Sequence, residues 1–522
     1  MNFMGEKRPL FAILIGILLV YYALFIYRSS FVIEGKRYFV LFDDEMISMR
    51  YAKNFANGYG LVWNKGERVE GITNLFWTLY MSLFHIIKIP LSKTSLFIQV
   101  TGLIFLILSV IMVKRITYLI TNSEKISLTA TVLTGFYYPI VYWSLEGTEV
   151  SVLMFLTSLS TYYTLRGLTK HKLIYSPLWI LGFSTLIRMD MFVLYLGFWA
   201  FTFWVFKNYR IKIFLIGFII ITSFVGGQTL FRLLYYGDIL PNTYYLKMTG
   251  FPIIYRVTRG AYVFLNFLWQ LNIIFVLVTM LMTIVMKKKS DIFLFFLFAL
   301  QSLYSIYVGG DAWEESFGSN RFIALVMPYF FILFSKGVYN LRNFLQDKLH
   351  FFFKRFVFYI FVILGFLNFN STYGPGAIAE SMLIVRPKQK NFNYRNVKIA
   401  LLLNDITKRD AKVAVTCAGA TPYFCERYFI DLLGKTDRIV ARATAKPFKA
   451  LPLIITFIPG HMKHNYDYSI RLRKPDVIVV NMWYNPEEVE KLLKSMYVKV
   501  DLIQGLFVYL YKGSEKILWD CL

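Results

Sequence analysis

Apolar residues in this chain arrive in uninterrupted runs of membrane-spanning length, among them Leu10–Tyr27, Leu96–Val113, Ile213–Leu230 and Phe264–Met286. Only a helix pairs every backbone N–H and C=O within such a run, and about 20 apolar residues suffice to cross the hydrocarbon layer. The expected class is therefore a polytopic α-helical membrane protein. A hydrophobic content of 57% over 522 residues, with 19% aromatic residues to form interfacial belts, fits that class. The formal net charge of +26 would suit a nucleic-acid partner. Most of the excess, however, lies in short loops between spans, where the positive-inside rule puts it, so nucleic acid is set aside. The first run is followed by further spans and by no small-residue cleavage site, and it reads as a span rather than a signal peptide.

Lys and Arg gather at Lys7-Arg8, Lys114-Arg115 with Lys125, Arg166 to Lys172, Lys207 to Lys212, Lys287 to Lys289 and Lys336 to Arg355. With all of these cytoplasmic, about eleven spans result, near 10–27, 96–113, 126–143, 149–165, 175–188, 190–206, 213–230, 262–286, 292–308, 322–336 and 356–370. The N-terminus is then cytoplasmic, and Leu75–Ile89 is a half-inserted or juxtamembrane helix. Residues 1–370 form the membrane domain, with a first outer loop at 28–94. From 371 to 522 the spans stop, and an extracytoplasmic soluble α/β domain is expected. Lys412–Thr416 and Pro475–Val480 have strand character, Pro486–Met496 has helical spacing, and Val498–Tyr511 suggests a closing strand pair. Cys417 and Cys425 either pair or remain buried thiols, leaving Cys521 over.

This topology collects the conspicuous polar groups on one face. The first outer loop opens with Asp43-Asp44-Glu45; later outer loops hold Glu149, Arg188-Met189-Asp190, Arg232, Tyr235-Tyr236-Gly237-Asp238, Asn242, Asp311 and Trp313. Carboxylates at a membrane boundary are costly unless they face water or a site. An outer-face enzyme has no access to nucleotide-activated substrates and must use donors that arrive in the bilayer, of which polyprenyl-phosphate sugars are the obvious ones. Such transfer needs a carboxylate base for the acceptor hydroxyl and cationic or hydroxyl donors for the departing phosphate. Asp43 and Asp44 are the base candidates. Arg188, Arg232, Tyr236, Lys247 and Arg321 are the donor-phosphate candidates. Glu45, Glu149, Asp190, Asp238, Asn242, Asp311 and Trp313 are the substrate-binding candidates. No metal-ligand spacing is present, and His461 with His464 is the nearest approach to a His cluster. No cofactor is required, although three adjacent carboxylates could hold Mg²⁺ or Ca²⁺.

The strings Asp43–Ala52, Gly58–Val62 and Glu70–Thr78 resemble the first outer loop of bacterial GT-C glycosyltransferases, nearest to the mycobacterial terminal β-(1→2) arabinofuranosyltransferases and their homologues. Gly147-Thr148-Glu149, Arg188-Met189-Asp190, Tyr235–Thr243 and Val308–Asp311 follow in the same order. Ala418-Gly419-Ala420, Ile430–Asp437, Pro459-Gly460-His461 and Lys474–Ile478 add to the resemblance further on. It implies a GT-C fold in the inner membrane and transfer of one sugar from a polyprenyl-phosphate donor to an envelope glycan or glycolipid, such as lipopolysaccharide or cell-wall glycan. It also implies an inverting displacement with one of Asp43 and Asp44 as base. GT-C enzymes commonly use the first acidic residue of that loop, which favours Asp43. Gly147-Thr148-Glu149 and the long Asp311–Arg321 interval depart from the family pattern, so arabinose itself is not carried over. A flippase for lipid-linked sugars is the rival reading; it predicts internal repeats and broken helices in both halves, and no such symmetry is seen.

Overall fold

The computed structural model describes residues 8–286, 288–314, 320–345, 351–371, 375–446, 457–480, 486–503 and 506–522. It is mostly helical, and the chain divides into two compact units. The first comprises Met1–Arg28, Gln99–Gly227 and Gly260–Pro387; the second comprises Ser29–Ile98, Gln228–Arg259 and Lys388–Leu522.

Among the described residues, four helices are long and apolar enough to cross a membrane: Pro9–Ser29, Leu91–Thr121, Lys207–Tyr236 and Lys289–Val308. The expected single span at 262–286 is instead two helices, Ile253–Gln270 and Ile273–Met286. They meet at a 91° bend. Asn272 makes the break: it sits at φ 68, a region that Asn tolerates better than most residues. Its side chain then accepts the N–H of Ile274 at 3.1 Å to start the next helix. The expected span at 126–143 is likewise interrupted, between Glu124–Gly135 and Tyr138–Leu145, with Pro139 in the first turn of the second helix. The Thr222–Gly226 segment is a π-bulge inside the Lys207–Tyr236 helix. Leu75–Ile86, at 12 residues, rises only about 18 Å, short of the hydrocarbon thickness.

Among its described residues the second unit holds seven strands: β1 (Phe31–Ile33), β2 (Lys36–Tyr38), β3 (Lys412–Val415), β4 (Tyr428–Asp431), β5 (Val477–Val479), β6 (Tyr497–Ile503) and β7 (Leu506–Tyr511). The first two make a hairpin through Glu34-Gly35, both at positive φ. The others form one sheet in the order β4-β3-β5-β7-β6. β3 runs parallel to β4 and β5, while β7 is antiparallel to β5 and β6. The two short parallel strands β3 and β5 are continuous apolar runs because both sheet faces are covered. Ala414, Ile430, Ile478 and Leu432 pack with Tyr466, Ile470, Val489, Leu493 and Tyr497 into one core. Asp476 fastens the strands, accepting the Lys412 N–H at 2.7 Å and the Ser514 hydroxyl at 2.6 Å. The Pro486–Met496 helix and the β6–β7 pair lie where the sequence pattern expects them. All three cysteines are free thiols.

The segment from 29 to 98 folds onto this sheet through side-chain bonds to backbone. Trp63 donates to the Ala418 carbonyl at 3.2 Å and Asn64 to the Phe429 carbonyl at 2.8 Å. Asn393 donates to the Leu41 carbonyl at 3.0 Å. These bonds satisfy buried carbonyls that no helix or strand partner reaches.

Candidate active site

Asp43, Asp44 and Glu45 form the first turn of the Asp43–Ala56 helix, where backbone N–H groups favour negative charge. Successive residues on a helix point about 100° apart, so the three carboxylates go to three different places. Asp43 is buried and turns to the Gly419-Ala420 backbone, accepting the Ala420 N–H at 2.9 Å. Asp44 pairs with the Lys435 ammonium. Glu45, also buried, accepts from Asn74 at 3.1 Å, and Asn74 in turn accepts from Ser48 and Thr78. Glu45 therefore anchors the start of the Leu75–Ile86 helix.

Gly419 permits the approach to Asp43. A Cβ there would collide with the Asp43 backbone oxygen and carboxylate. Burial pushes the Asp43 carboxyl up to about 6; the Ala420 N–H opposes this, Asp44 adds to it and Lys435 opposes it. Burial alone would lower Lys435, but Asp44, and then Asp43 and Asp431, carry it above its ordinary value. His461 lies within the same field. Burial and the nearby Lys435 hold it down to about 4, so it is neutral at pH 7, with Nδ1 3.2 Å from the Pro459 carbonyl oxygen. The Lys247 stem lies across the neighbouring Gly460.

Lys435 is held by its loop. Asp431 accepts the N–H groups of Leu433, Gly434 and Thr436 at 2.8–3.1 Å. Asn242 donates to the carbonyls of Gly434, Lys435 and Asp437 at 2.9–3.2 Å. Asp238 pairs with Arg442 at 2.9 Å and Arg438 at 3.4 Å. Asn242 and Asp238, expected at the substrate, here brace the 434–442 segment. Arg232 is buried and paired with Glu70, whose carboxyl burial raises to about 6 against the pull of Arg232. Tyr236 donates its hydroxyl to the Leu61 carbonyl at 2.9 Å.

The remaining candidates lie in the first unit. Arg188 bonds Asp190 at 2.6 Å and Glu149 at 3.1 Å, and its Nη2 is buried with no hydrogen-bond partner among the described residues. Arg321 grips Asp311 in a two-pronged pair at 2.8 and 3.2 Å, with the Trp143 ring 5.0 Å from its guanidinium. The backbone N–H of Trp313 donates to Asp311 at 3.4 Å. Glu146 is wholly buried, with no hydrogen-bond partner for either oxygen among the described residues; burial and then Glu380 push its carboxyl to about 8. Sequence reasoning assigned no role to Gly419, Lys435 or His461, although all three stand in strings that carry the family resemblance. Glu146 belongs to the outer-loop string Trp143–Glu149 and was likewise given no role. Among the described residues no group of three or more His, Cys, Asp or Glu side chains is placed to hold a metal ion.

A family described as "Domain of unknown function (DUF8728)" matches residues 385–515. No curated protein matches the chain in sequence. Among solved structures, ArnT from Cupriavidus metallidurans bound to undecaprenyl phosphate is similar with a TM-score of 0.56 at 10% identity, over 97% of this chain and 99% of that one. The apo state of the same protein matches with a TM-score of 0.56 at 11% identity, over 97% and 98%. At that identity the likeness is one of fold: this chain has the fold of ArnT.

Three outcomes follow from this geometry. Gly419→Ala drives a Cβ into the Asp43 backbone oxygen and carboxylate, and the forced shift costs about 1–3 kcal/mol, read as a lowered melting temperature. Arg232→Met strands Glu70 and costs about 3–5 kcal/mol, read by thermal melting. The double variant Arg232→Met/Glu70→Gln recovers most of the loss. Asp43 holds its proton more tightly folded than unfolded, so its cost to stability is absent below pH 4 and complete above pH 6. Asp43→Asn therefore stabilises the protein at pH 8 by about 3 kcal/mol, and melting curves at pH 4 show no gain.

Proposed function

We propose that this protein is an integral inner-membrane glycosyltransferase that passes one sugar from a polyprenyl-phosphate carrier to an envelope glycan or glycolipid outside that membrane. The observation that carries the reading is the Asp43 carboxylate. It is buried, bonded to backbone and raised in proton affinity, on a fold shared with a protein crystallised with undecaprenyl phosphate. Residues 1–370 are proposed as the membrane domain, with about eleven crossings and a cytoplasmic N-terminus, and 371–522 as the extracytoplasmic part.

In the proposed step the acceptor hydroxyl oxygen attacks the anomeric carbon. The bond from that carbon to the phosphate oxygen breaks with inversion, polyprenyl phosphate leaves, and the hydroxyl proton passes to Asp43. A base with a pKa near 6 is mostly ionised at neutral pH yet retains appreciable basicity. Asp44, tied to Lys435, is proposed as the residue that fixes the local charge rather than the proton acceptor. Of the five phosphate-clamp candidates, Arg188 has the strongest support, since its Nη2 keeps an unused donor. Arg321, Lys247 and Tyr236 remain secondary candidates, and Arg232 serves first as the partner of Glu70. Leaving-group charge can be met by these cations without a metal.

The test uses purified protein in nanodiscs with a panel of polyprenyl-phosphate sugars and envelope glycan as acceptor, following release of free polyprenyl phosphate with and without EDTA. Asp43→Asn is expected to lower kcat by roughly 10²–10⁴-fold, and wild-type kcat/KM to fall as pH drops through about 6, where Asp43 takes up its proton. Asp44→Asn should lose less. No release from any donor, with lipid-linked sugars still crossing the bilayer, would replace the transferase with the flippase.

A further inference from the structure

The second unit contains a cleft of about 220 Å³, at the C-terminal half of the Asp43–Ala56 helix and lined also by the 422–428 segment. Five cationic side chains line it, Arg50, Lys53, Lys65, Arg409 and Arg427, against a single carboxylate, Glu426. Arg50 is buried and donates to the carbonyls of Trp63, Pro422 and Arg427 and to the Asn64 amide oxygen. Arg427, also buried, donates to the Thr407 hydroxyl and to the carbonyls of Asn404 and Thr407. Both guanidinium groups thus spend their hydrogen bonds on neutral oxygens, and the carboxylate whose charge reaches Arg50, Glu426, is paired with Lys53. Burial lowers Arg50 to about 10, which leaves it charged at neutral pH.

Lys53 shares Glu426 at 3.0 Å, and that carboxylate is itself 70% exposed. Lys65 and Arg409 are exposed. The Lys65 ammonium lies 4.0 Å from the centre of the Tyr59 ring, itself exposed and part of the lining. Stitching backbone carbonyls accounts for Arg50 and Arg427. It does not account for further like charge added around the same cleft, which is repulsive unless an anion offsets it. The neighbouring Glu67 is already engaged, accepting from Asn64 at 3.1 Å and from Tyr428 at 2.5 Å.

We propose that this cleft is an acceptor subsite that receives the anionic group, carboxylate or phosphate ester, of an acidic glycan. The proposal rests on the glycosyltransferase reading and narrows its acceptor to negatively charged glycans. Arg50 and Lys53 lie seven and ten residues beyond Asp43 on one helix, about 10 and 15 Å along its axis. A glycan chain bound by its acidic residue in the cleft is therefore within reach of the base, and Tyr59 offers a ring face to a sugar.

The experiment is isothermal titration of the full-length protein, in nanodiscs of uncharged lipid, with glucose 6-phosphate, glucuronate, glucose and inorganic phosphate. Both sugar anions are expected to bind, more weakly as salt is raised, while glucose does not; the tighter of the two names the acidic group. Lys65→Gln/Arg409→Gln, both at exposed positions, should weaken the anions about tenfold. Glu426→Gln removes the one lining carboxylate and should tighten them. Glucose binding as well as its anionic forms, uptake of inorganic phosphate alone, or indifference to all three substitutions would overturn the subsite. Binding needs no donor lipid, so those failures leave the transfer reading standing. Intact anion binding by a protein that releases no polyprenyl phosphate would instead remove the acceptor role together with the transferase.

Discussion

A carboxylate withdrawn from water against two backbone positions, with a glycine where a side chain would stand, is the constraint on which the rest of the second unit depends. The Asp43 carboxylate reaches the Ala420 N–H only because Gly419 has no Cβ to obstruct it. For that contact to persist, the Asp43–Ala56 helix must be pinned to the sheet. Arg50, Trp63, Asn64 and Asn393 do this by donating to carbonyls that would otherwise be buried without a partner. The 434–442 segment must be fixed too, so that Lys435 stays on Asp44, and Asp431 and Asn242 fix it from opposite ends of the hydrogen-bond inventory. One accepts N–H groups and the other donates to carbonyls.

This arrangement comes at a cost to stability. A lone buried carboxylate is disfavoured, and Lys435 relieves Asp44 directly but Asp43 only at a distance. The result is one acid fully committed to an ion pair and its neighbour left with a proton affinity near neutrality. Two adjacent residues of the same type thus acquire different properties from the elements they face. Elsewhere the same fold uses buried charge conservatively: Arg232 with Glu70 and Arg321 with Asp311 are closed pairs.

The membrane class was legible because a 20-residue apolar run has few alternatives, and the strands of the C-terminal sheet were legible because Val413–Val415 and Val477–Val479 are short apolar runs between polar turns. The break at Asn272 was not, since hydropathy is blind to a single residue at positive φ. The acidic first turn was visible as a feature, yet its partners were not. Gly419, Ala420 and Lys435 meet it across more than 370 positions, and no local period encodes such a contact. The conspicuous Tyr-Gly-Asp and Pro-Asn-Thr strings suggested substrate contact, whereas Asp238 and Asn242 spend their bonds on neighbouring backbone and arginines.

The separation of 377 residues between Asp43 and Ala420 also sets an order of events during synthesis. At 5–20 residues per second, the acidic turn waits roughly 20–75 s before its partners leave the ribosome. Through that interval the first loop carries charge, an open backbone and uncovered aromatic surface, with the sheet that will receive them still unmade. The setting of the buried carboxylate is therefore completed late, and an interrupted translation product carries the acidic triplet without the surroundings that distinguish Asp43 from Asp44.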